Sequence, residues 1–390
     1  MKKIESFYLI ILFTISVLLM FDTIFYGFLA DDFSLVSFDF KEAISSSLGV
    51  HFRPLWHLSY PFLNLISSSS YSHHIFNIVL FILSIYLAYK YINVKKTKLF
   101  SFISVLIWIT LPWMVFPVTW ISQRNDLLMI VFVLMSLIQF EKQKTYSSMV
   151  FLFFGFLSKV NCFLLPLYFI FKSFKKSKSD FYKYILIQIV FFLISLRSYL
   201  VSLNLSSNIH LKNLSFQESI MNKIVHLFIG VTTQLFPIPY FTSKTHFGLY
   251  LLLFLFGLYL VINNKNPLLS FIKKNYDYLI LFIIFCFPLI INSELRISTF
   301  TSLFLIVSIG GFSRFNLKPS NIILISLIII NNIYSGYKSK SNFKTEIHNL
   351  DFTGNYRPTD TYYNNKFYQE KRIFLSKIKR KLNGKENLFN

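Results

Sequence analysis

The sequence FYLIILFTISVLLMFDTIFYGFL, residues 7–29, is a long apolar run in which Asp22 is the one charged residue. A transmembrane helix needs roughly 20 mostly apolar residues to cross about 30 Å of hydrocarbon, and this run meets that requirement. It follows Met1-Lys2-Lys3, as in a signal peptide, but it is too long for the apolar part of one and lacks a small-residue cleavage site. We therefore predict a retained membrane span.

Apolar runs of this kind recur along the chain as far as residue 334. Two shorter runs, residues 147–157 and 160–171, predict a helical hairpin with Ser158-Lys159 at its tip. Together the runs predict an all-α polytopic membrane protein of about ten to eleven transmembrane helices. The remaining runs lie at residues 74–92, 99–117, 127–140, 184–203, 247–262, 278–291, 297–312 and 322–334.

The chain has a formal net charge of +22, with 39 Lys and Arg against 17 Asp and Glu. In a soluble protein such an excess would favour nucleic acid as a partner. Here the cations cluster between apolar runs, for example at Lys95 to Lys98 and Lys172 to Lys183. This is the pattern of cytoplasmic loops under the positive-inside rule. We therefore predict membrane lipids, and no nucleic acid, as partners.

A cytoplasmic N-terminus places two larger loops on the outer face, residues 30–71 and 204–246. Each loop predicts an interfacial helix. The first would begin at Pro54, because proline is favoured at the first helical position. The second would occupy residues 220–236, a stretch too polar in its surroundings for a full span.

The chain divides into a transmembrane domain, residues 1–335, and a polar, basic C-terminal tail, residues 336–390. Counting spans puts the tail outside, whereas its Lys and Arg favour the cytoplasm, so its side is left open. Cys162 and Cys286 both lie in apolar segments and predict neither a disulfide framework nor a thiolate metal site.

The same topology gathers charged and histidine residues on the outer face. A charge at a helix centre costs on the order of 2.5 to 3.5 kcal/mol unless it pairs or faces water, and less near helix ends. Such a set therefore indicates a site. Its members are Asp31, Asp32, Arg53, His73, His74, Arg124, Asp126, Lys159, Glu294 and Arg296.

Several members also have a structural interpretation when taken singly. Arg124 and Asp126 fit an ion pair with each other, and Lys159 fits a side chain that extends to the interface. The adjacent histidines do not supply the three protein ligands of a typical metal site. At the level of the sequence these alternatives stay open.

Four motifs in order carry a resemblance to a known family. Ala30-Asp31-Asp32-Phe33 directly follows the first span. It is followed by Phe52-Arg53-Pro54-Leu55, His74-Ile75-Phe76-Asn77 and Trp120-Ile121-Ser122-Gln123-Arg124-Asn125-Asp126. In place and order these motifs resemble the C superfamily of membrane glycosyltransferases (GT-C), in particular its protein O-mannosyltransferase-like branch.

Two further motifs extend the resemblance to about residues 20–312. Leu157-Ser158-Lys159 is similar to a Ser-Lys-Glu segment of that branch, with Val160 in place of the glutamate. Glu294-Leu295-Arg296 is similar to a Glu-Arg motif, with a leucine between the two charges. The chain resembles the transmembrane members that carry tetratricopeptide repeats, without the repeats themselves.

The resemblance implies a GT-C-like fold and an inverting glycosyltransferase with a polyprenyl-phosphate-linked sugar as donor. It implies Asp31 as the general base for an acceptor hydroxyl, and Asp32 as a residue that orients the acceptor or a cation. Cations would stabilise the leaving phosphate. The implied substrate-binding residues are Arg53, His74, Asn77, Arg124, Asp126, Lys159, Glu294 and Arg296.

We expect a lipid, glycan or protein acceptor and a bacterial inner membrane, with the site facing the periplasm. A divalent cation, Mg or Mn, at Asp31 and Asp32 is left open, because two adjacent carboxylates do not fill an oxygen coordination shell. The alternative functions are a transporter or flippase, or a polymerase, of lipid-linked saccharides. The sequence shows no repeated halves, which a transporter would favour.

Overall fold

The computed structural model describes the N-terminal half of the chain almost continuously and the remainder in part. The regular elements of the described residues are all helical, and no strand occurs among them. Asp31, Glu294 and Arg296, most of the C-terminal tail, and the predicted segments at 220–236 and 247–262 lie outside this part. The described residues are 2–28, 32–47, 52–111, 114–174, 177–206 and 275–285, with positions 303, 304, 306, 326, 329, 330, 332–334, 336, 337, 340 and 341.

Twelve α-helices are numbered here along the continuous described segments. Three short 3-10 turns, at Phe21–Phe25, Ile121–Gln123 and Val160–Cys162, lie between them. The α-helices are α1 Lys2–Met20, α2 Asp32–Val36, α3 Phe40–Ser47, α4 Pro54–Asn64, α5 Ser70–Asn93, α6 Lys98–Thr110, α7 Val115–Thr119, α8 Arg124–Glu141, α9 Thr145–Ser158, α10 Leu165–Ser173, α11 Lys178–Ser206 and α12 Asn275–Phe285.

Among the described residues, four helical stretches are long and apolar enough to cross a membrane, which agrees with an all-α membrane protein. They are Lys3–Phe25, Ser70–Asn93, Ile121–Glu141 and Lys178–Ser198. The shorter apolar helices are Lys98–Thr110, Thr145–Ser158, Val160–Ser173 and Asn275–Phe285.

Helix α8 is the centre of the protein. In the apolar stretch that contains α8, 89% is buried inside the protein. The buried share is only 22% in the stretch that contains α1 and 17% in α11. The two outer helices therefore present most of their apolar surface outward, as lipid-facing helices do. Helix α9 packs closely on α8, and a Cβ at Gly155 would lie 3.3 Å from Val133 Cγ2.

The two shorter runs are helical as predicted, and the turn between α9 and α10 holds Lys159. The predicted start at Pro54 is also confirmed, since this proline begins α4. The single run predicted over residues 99–117 is instead broken. Helix α6 ends at Thr110, and Leu111 is extended with ψ 136°, because a residue before a proline is disfavoured from helical backbone.

The outer loop predicted at residues 30–71 contains three helices, α2, α3 and α4. The first span is α-helical only to Met20 and then tightens into a 3-10 turn. Asp22 lies in this turn and pairs with Lys340 at 2.6 Å, its side chain 51% exposed. The start of the C-terminal tail therefore lies beside the end of the first span.

One set of charged residues ties the helices together at the end opposite α2, and we call it the Asp277 network. Lys95 pairs with Glu141 at 2.6 Å and with Asp277 at 2.7 Å. Burial lowers the pKa of Lys95, but its hydrogen bonds to the two carboxylates outweigh this and leave the pKa above its ordinary value. Asp277 also pairs with Lys172, and Glu5 pairs with Lys90 and Lys98.

Candidate functional site

The described site residues predicted from the sequence all lie at one end of the protein. Asp32 begins α2, and Arg53 directly precedes α4. His74 and Asn77 lie in the first two turns of α5, whose last turns carry Lys90, the partner of Glu5. At 1.5 Å per residue, the helix separates His73 from Lys90 by about 25 Å. The two charged sets therefore occupy opposite ends of the same helices.

The guanidinium of Arg124 is the centre of this end and is fully buried. Its Nε donates to Asn77 Oδ1 at 2.8 Å, and its two terminal nitrogens donate to Ser59 Oγ at 3.3 Å and to His73 Nδ1 at 3.0 Å. A further bond reaches the His73 carbonyl oxygen at 3.3 Å. Helices α4, α5 and α8 thus meet at one side chain.

The groups that contact Arg124 directly are neutral, and the Asp32 carboxylate acts on it only from a longer distance. Its guanidinium carbon lies 4.7 Å from the ring centre of Tyr60 and 5.1 Å from that of Phe76. Among the residues that the structure describes, no carboxylate lies within ion-pair distance of it. Cation–π contacts and hydrogen bonds to neutral groups stabilise the cation in part. Its positive charge is therefore not neutralised by an ion pair and contributes to the electrostatic potential at this end of the protein.

His73 connects Arg124 to the first loop. Its Nδ1 accepts from Arg124, so its Nε2 carries the proton and donates to Asn64 Oδ1 at 3.0 Å. The Asn64 amide nitrogen in turn donates to the Val36 carbonyl at 2.6 Å. A line of hydrogen bonds thus runs from α8 through α5 and α4 to the end of α2.

Asp32 is held by the backbone of the turn before α8. Its Oδ1 accepts from the Ser122 N–H at 2.7 Å, and the residue is 1% exposed. Close by, the Tyr60 hydroxyl donates to the Ile121 carbonyl at 3.2 Å. The acidic start of α2 is therefore fixed against the segment that positions Arg124.

Asp126 pairs with Lys159 rather than with Arg124, the partner considered for it from the sequence. The Lys159 ammonium donates to both Asp126 oxygens, at 2.6 and 2.7 Å, and both residues are buried. The pair joins the start of α8 to the turn after α9. Lys159 therefore points into the protein and not out to the interface.

Asn77, His74 and Arg53 complete the described set. Asn77 accepts from Arg124 and donates to the Pro117 and Val118 carbonyls at 3.4 and 3.5 Å. His74 is buried, with the ring of Tyr26 edge-on at 6.4 Å. The guanidinium carbon of Arg53 lies 5.5 Å from the Trp56 ring centre, and this residue is only half-buried.

Some contributors to the site carry no role in the sequence prediction. His73 was placed on the outer face without a function, and Ser59, Tyr60 and Asn64 were not singled out. Tyr60 and Asn64 are four positions apart, a spacing that places two side chains on one face of a helix. That spacing in a largely apolar helix is the signal from which these two could have been found.

Within the described ranges no group of three His, Cys, Asp or Glu side chains is placed to hold a metal ion. This says nothing of Asp31, which lies outside them. The chain was also compared with protein-family models, with curated proteins and with solved structures. None of the three comparisons found a match.

Proposed function

We propose that this protein is an inverting membrane glycosyltransferase that moves a sugar from a polyprenyl-phosphate-linked donor to an acceptor hydroxyl. The observation that carries the proposal is the buried, positively charged Arg124, set beside the acidic start of α2 at one end of an apolar helical protein. A lipid-linked phosphate is an anion attached to an apolar chain. The positive charge of Arg124 suits the phosphate, and the apolar helices suit the lipid chain.

The reaction needs a base and a stabilised leaving group. The acceptor oxygen attacks the anomeric carbon, and its proton passes to the carboxylate of Asp31. The bond between the anomeric carbon and the phosphate oxygen breaks, and its electron pair leaves with the polyprenyl phosphate. Attack from the opposite face inverts the configuration of the anomeric carbon.

The structure supports different roles for the cations. Lys159 is neutralised by Asp126 and adds little net charge. Arg124 is enclosed by Asn77, His73 and Ser59, so it acts on the phosphate through its field and by fixing the surrounding helices. Arg53 is half-buried and lies where α4 begins, so we assign it the direct contact with the donor phosphate.

Asp32 takes a supporting role in this mechanism. Its bond to the Ser122 N–H fixes the start of α2 against the segment that leads into α8. Such prearranged geometry lowers the barrier because little is reorganised during the reaction. His74 and Asn77 complete the donor side, together with Glu294 and Arg296, which follow from the family resemblance.

The proposal also assigns the protein to a membrane and the site to one face of that membrane. The polyprenyl chain would lie among the helices of a bacterial inner membrane, with the phosphate and the sugar at the periplasmic face. The GT-C-like arrangement and the count of about ten to eleven spans belong to this proposal. The acceptor approaches from the aqueous side.

The test is transfer from radiolabelled polyprenyl-phosphate sugars to endogenous acceptors, in membranes that contain the wild type or Asp31→Asn at equal abundance. The matched control is Asp180→Asn, the same chemical change in a part-exposed acid at the start of α11. We expect the wild type and the control to transfer label and Asp31→Asn to lose at least about 100-fold in rate.

Two outcomes would count against the proposal. Full transfer by Asp31→Asn would remove this residue as the base. A failure of the wild type to transfer label from any donor would favour a transporter or flippase of lipid-linked saccharides. Movement of the intact labelled lipid across sealed vesicles would then be the next measurement.

A further inference from the structure

Several buried polar groups at the site end have no partner within the described part of the chain. They are the Thr119 hydroxyl, the Ser122 hydroxyl, the Asn125 side-chain oxygen and both ring nitrogens of His74. Buried polar groups in folded proteins are nearly always hydrogen-bonded, so a concentration of unpaired ones indicates a missing partner. His74 lies in α5, Thr119 and Ser122 lie in the segment that leads into α8, and Asn125 lies in the first turn of α8.

These groups belong to one neighbourhood. Thr119 follows Val118, whose carbonyl accepts from Asn77, one turn along α5 from His74. Ser122 supplies the N–H that holds Asp32, and Asn125 follows Arg124 directly. Ser122 and Asn125 are three positions apart along a helical stretch, a spacing that places side chains on the same face.

The chemistry of the unpaired atoms limits what binds them. The Asn125 oxygen can only accept a hydrogen bond. The His74 ring lies near the carbonyl groups of Tyr26, Gly27 and Val118, which also only accept. A neutral imidazole has one donor and one acceptor nitrogen, so at least one His74 nitrogen requires a donor from elsewhere. The two hydroxyls accept or donate.

A phosphodiester does not meet these requirements, because it carries no hydrogen to donate. A sugar hydroxyl meets all of them, because it donates one bond and accepts others. We propose that Thr119, Ser122, Asn125 and His74 form the subsite for the sugar ring of the donor, apart from the cations that attract its phosphate. This inference rests on the proposed function and names the part of the donor that these residues recognise.

The burial of these groups has a consequence for binding. A sugar that reaches them displaces neighbouring side chains rather than filling an open cleft. These atoms are buried with their hydrogen bonds unmade, which costs stability. Removing such a group should therefore not destabilise the empty protein, although it should weaken binding of the sugar.

The experiment uses the full chain in lipid nanodiscs with the variants Ser122→Ala and Asn125→Ala. The matched control is Ser136→Ala, because Ser136 is a buried serine of α8 whose hydroxyl does have a partner, the Ser148 carbonyl at 2.8 Å. Melting temperatures are measured with no lipid, with polyprenyl phosphate and with polyprenyl-phosphate hexose. KM and kcat for transfer from the hexose donor are measured alongside.

We expect the hexose lipid to raise the melting temperature of the wild type more than polyprenyl phosphate does. Ser122→Ala and Asn125→Ala should lose this difference and show about a ten-fold higher KM, as the loss of one hydrogen bond implies. Their melting temperatures without lipid should be unchanged or higher. Ser136→Ala should melt at a lower temperature with its KM unchanged.

The outcomes separate this inference from the proposed function. If the hexose lipid stabilises the wild type and both subsite variants equally, the sugar does not bind here, although the transfer proposal stands. If Ser122→Ala melts at a lower temperature and keeps its KM, the hydroxyl is structural and the inference is wrong. If neither lipid stabilises the wild type, the proposed function and the subsite fall together.

Discussion

Lys159 donates hydrogen bonds to both carboxylate oxygens of Asp126, at 2.6 and 2.7 Å, and the two residues are 6% and 4% exposed. They are 33 positions apart in the sequence and join the start of α8 to the turn that ends α9. The pair fixes α8 and the turn after α9 relative to each other, because each buried charge is stable in the interior only while its partner is present.

Replacing one residue of this pair should therefore destabilise the protein much more than replacing both. Asp126→Asn and Lys159→Met should each reduce the free energy of unfolding by about 3 to 5 kcal/mol, because each leaves a buried polar group or charge without its partner. The double variant should lose clearly less than the sum. The measurement is a double-mutant cycle of unfolding in mixed micelles, and additive losses would contradict the coupling.

Arg124→Lys should impair the protein even though the charge is kept. An ammonium cannot replace a planar guanidinium that reaches Asn77, His73 and Ser59 together. Each buried acceptor left without a donor costs about 1 to 3 kcal/mol. The melting temperature and the transfer rate should both fall. The control is Arg197→Lys on an exposed face of α11, where a change within about 0.5 kcal/mol is expected.

His73 offers a test of the hydrogen-bond line that runs from α8 to α2. His73→Gln keeps one acceptor for Arg124 and one donor for Asn64, whereas His73→Phe keeps the ring and loses both bonds. We expect His73→Gln to retain most of the transfer rate and His73→Phe to lose at least about ten-fold. Equal rates in the two variants would show that the bonds do not position the site.

The Asp277 network predicts a stability effect at the other end. Asp277→Asn removes a carboxylate that pairs with both Lys95 and Lys172, at a cost of about 1.5 to 3 kcal/mol. Asp180→Asn, which weakens a more exposed pair with Lys183, should cost less than about 1 kcal/mol. Thermal unfolding of the two variants in the same detergent gives the comparison.

The same network has a defined pH dependence. The pKa of Lys95 is raised, so its contribution to stability is fully present below the ordinary lysine value of about 10.4 and is lost as the pH rises through the higher folded-state value. In Asp277→Asn the pKa of Lys95 should fall, and destabilisation should begin at lower pH. Unfolding temperatures measured between pH 8 and roughly pH 11 would show this shift.

Much of the helical frame follows from the distribution of apolar residues. The run at residues 74–92 lies within α5, and the observed start is earlier because the Ser69 hydroxyl caps the helix by accepting from the Ser72 N–H. The two helices on either side of Lys159 follow in the same way. By contrast, residues 30–71 contain no apolar run of span length, so of their three short helices only α4 was predicted, from Pro54, and α2 and α3 were not.

The partners within the site were harder to predict. A sequence pattern shows which residues share one end of a set of helices, and it did so for Asp32, Arg124 and Lys159. It does not show which cation meets which acid, because that depends on how helices distant in sequence pack. His73 and Arg124 are 51 positions apart. Asp126 and Lys159 are likewise 33 positions apart, one at the start of α8 and the other directly after α9.

The long reach of the Asp277 network also orders the events of biosynthesis. Lys95 is synthesised well before either of its acids and meets Glu141 first, since Asp277 follows Lys95 by 182 residues. At 5 to 20 residues per second, this interval is roughly 10 to 40 seconds. Lys95 has no Asp277 to bind during that time, and Lys172, which is synthesised later, lacks it for the part that remains. The arrival of α12 at the ribosome exit therefore marks the earliest moment at which the pairs of Asp277 can form.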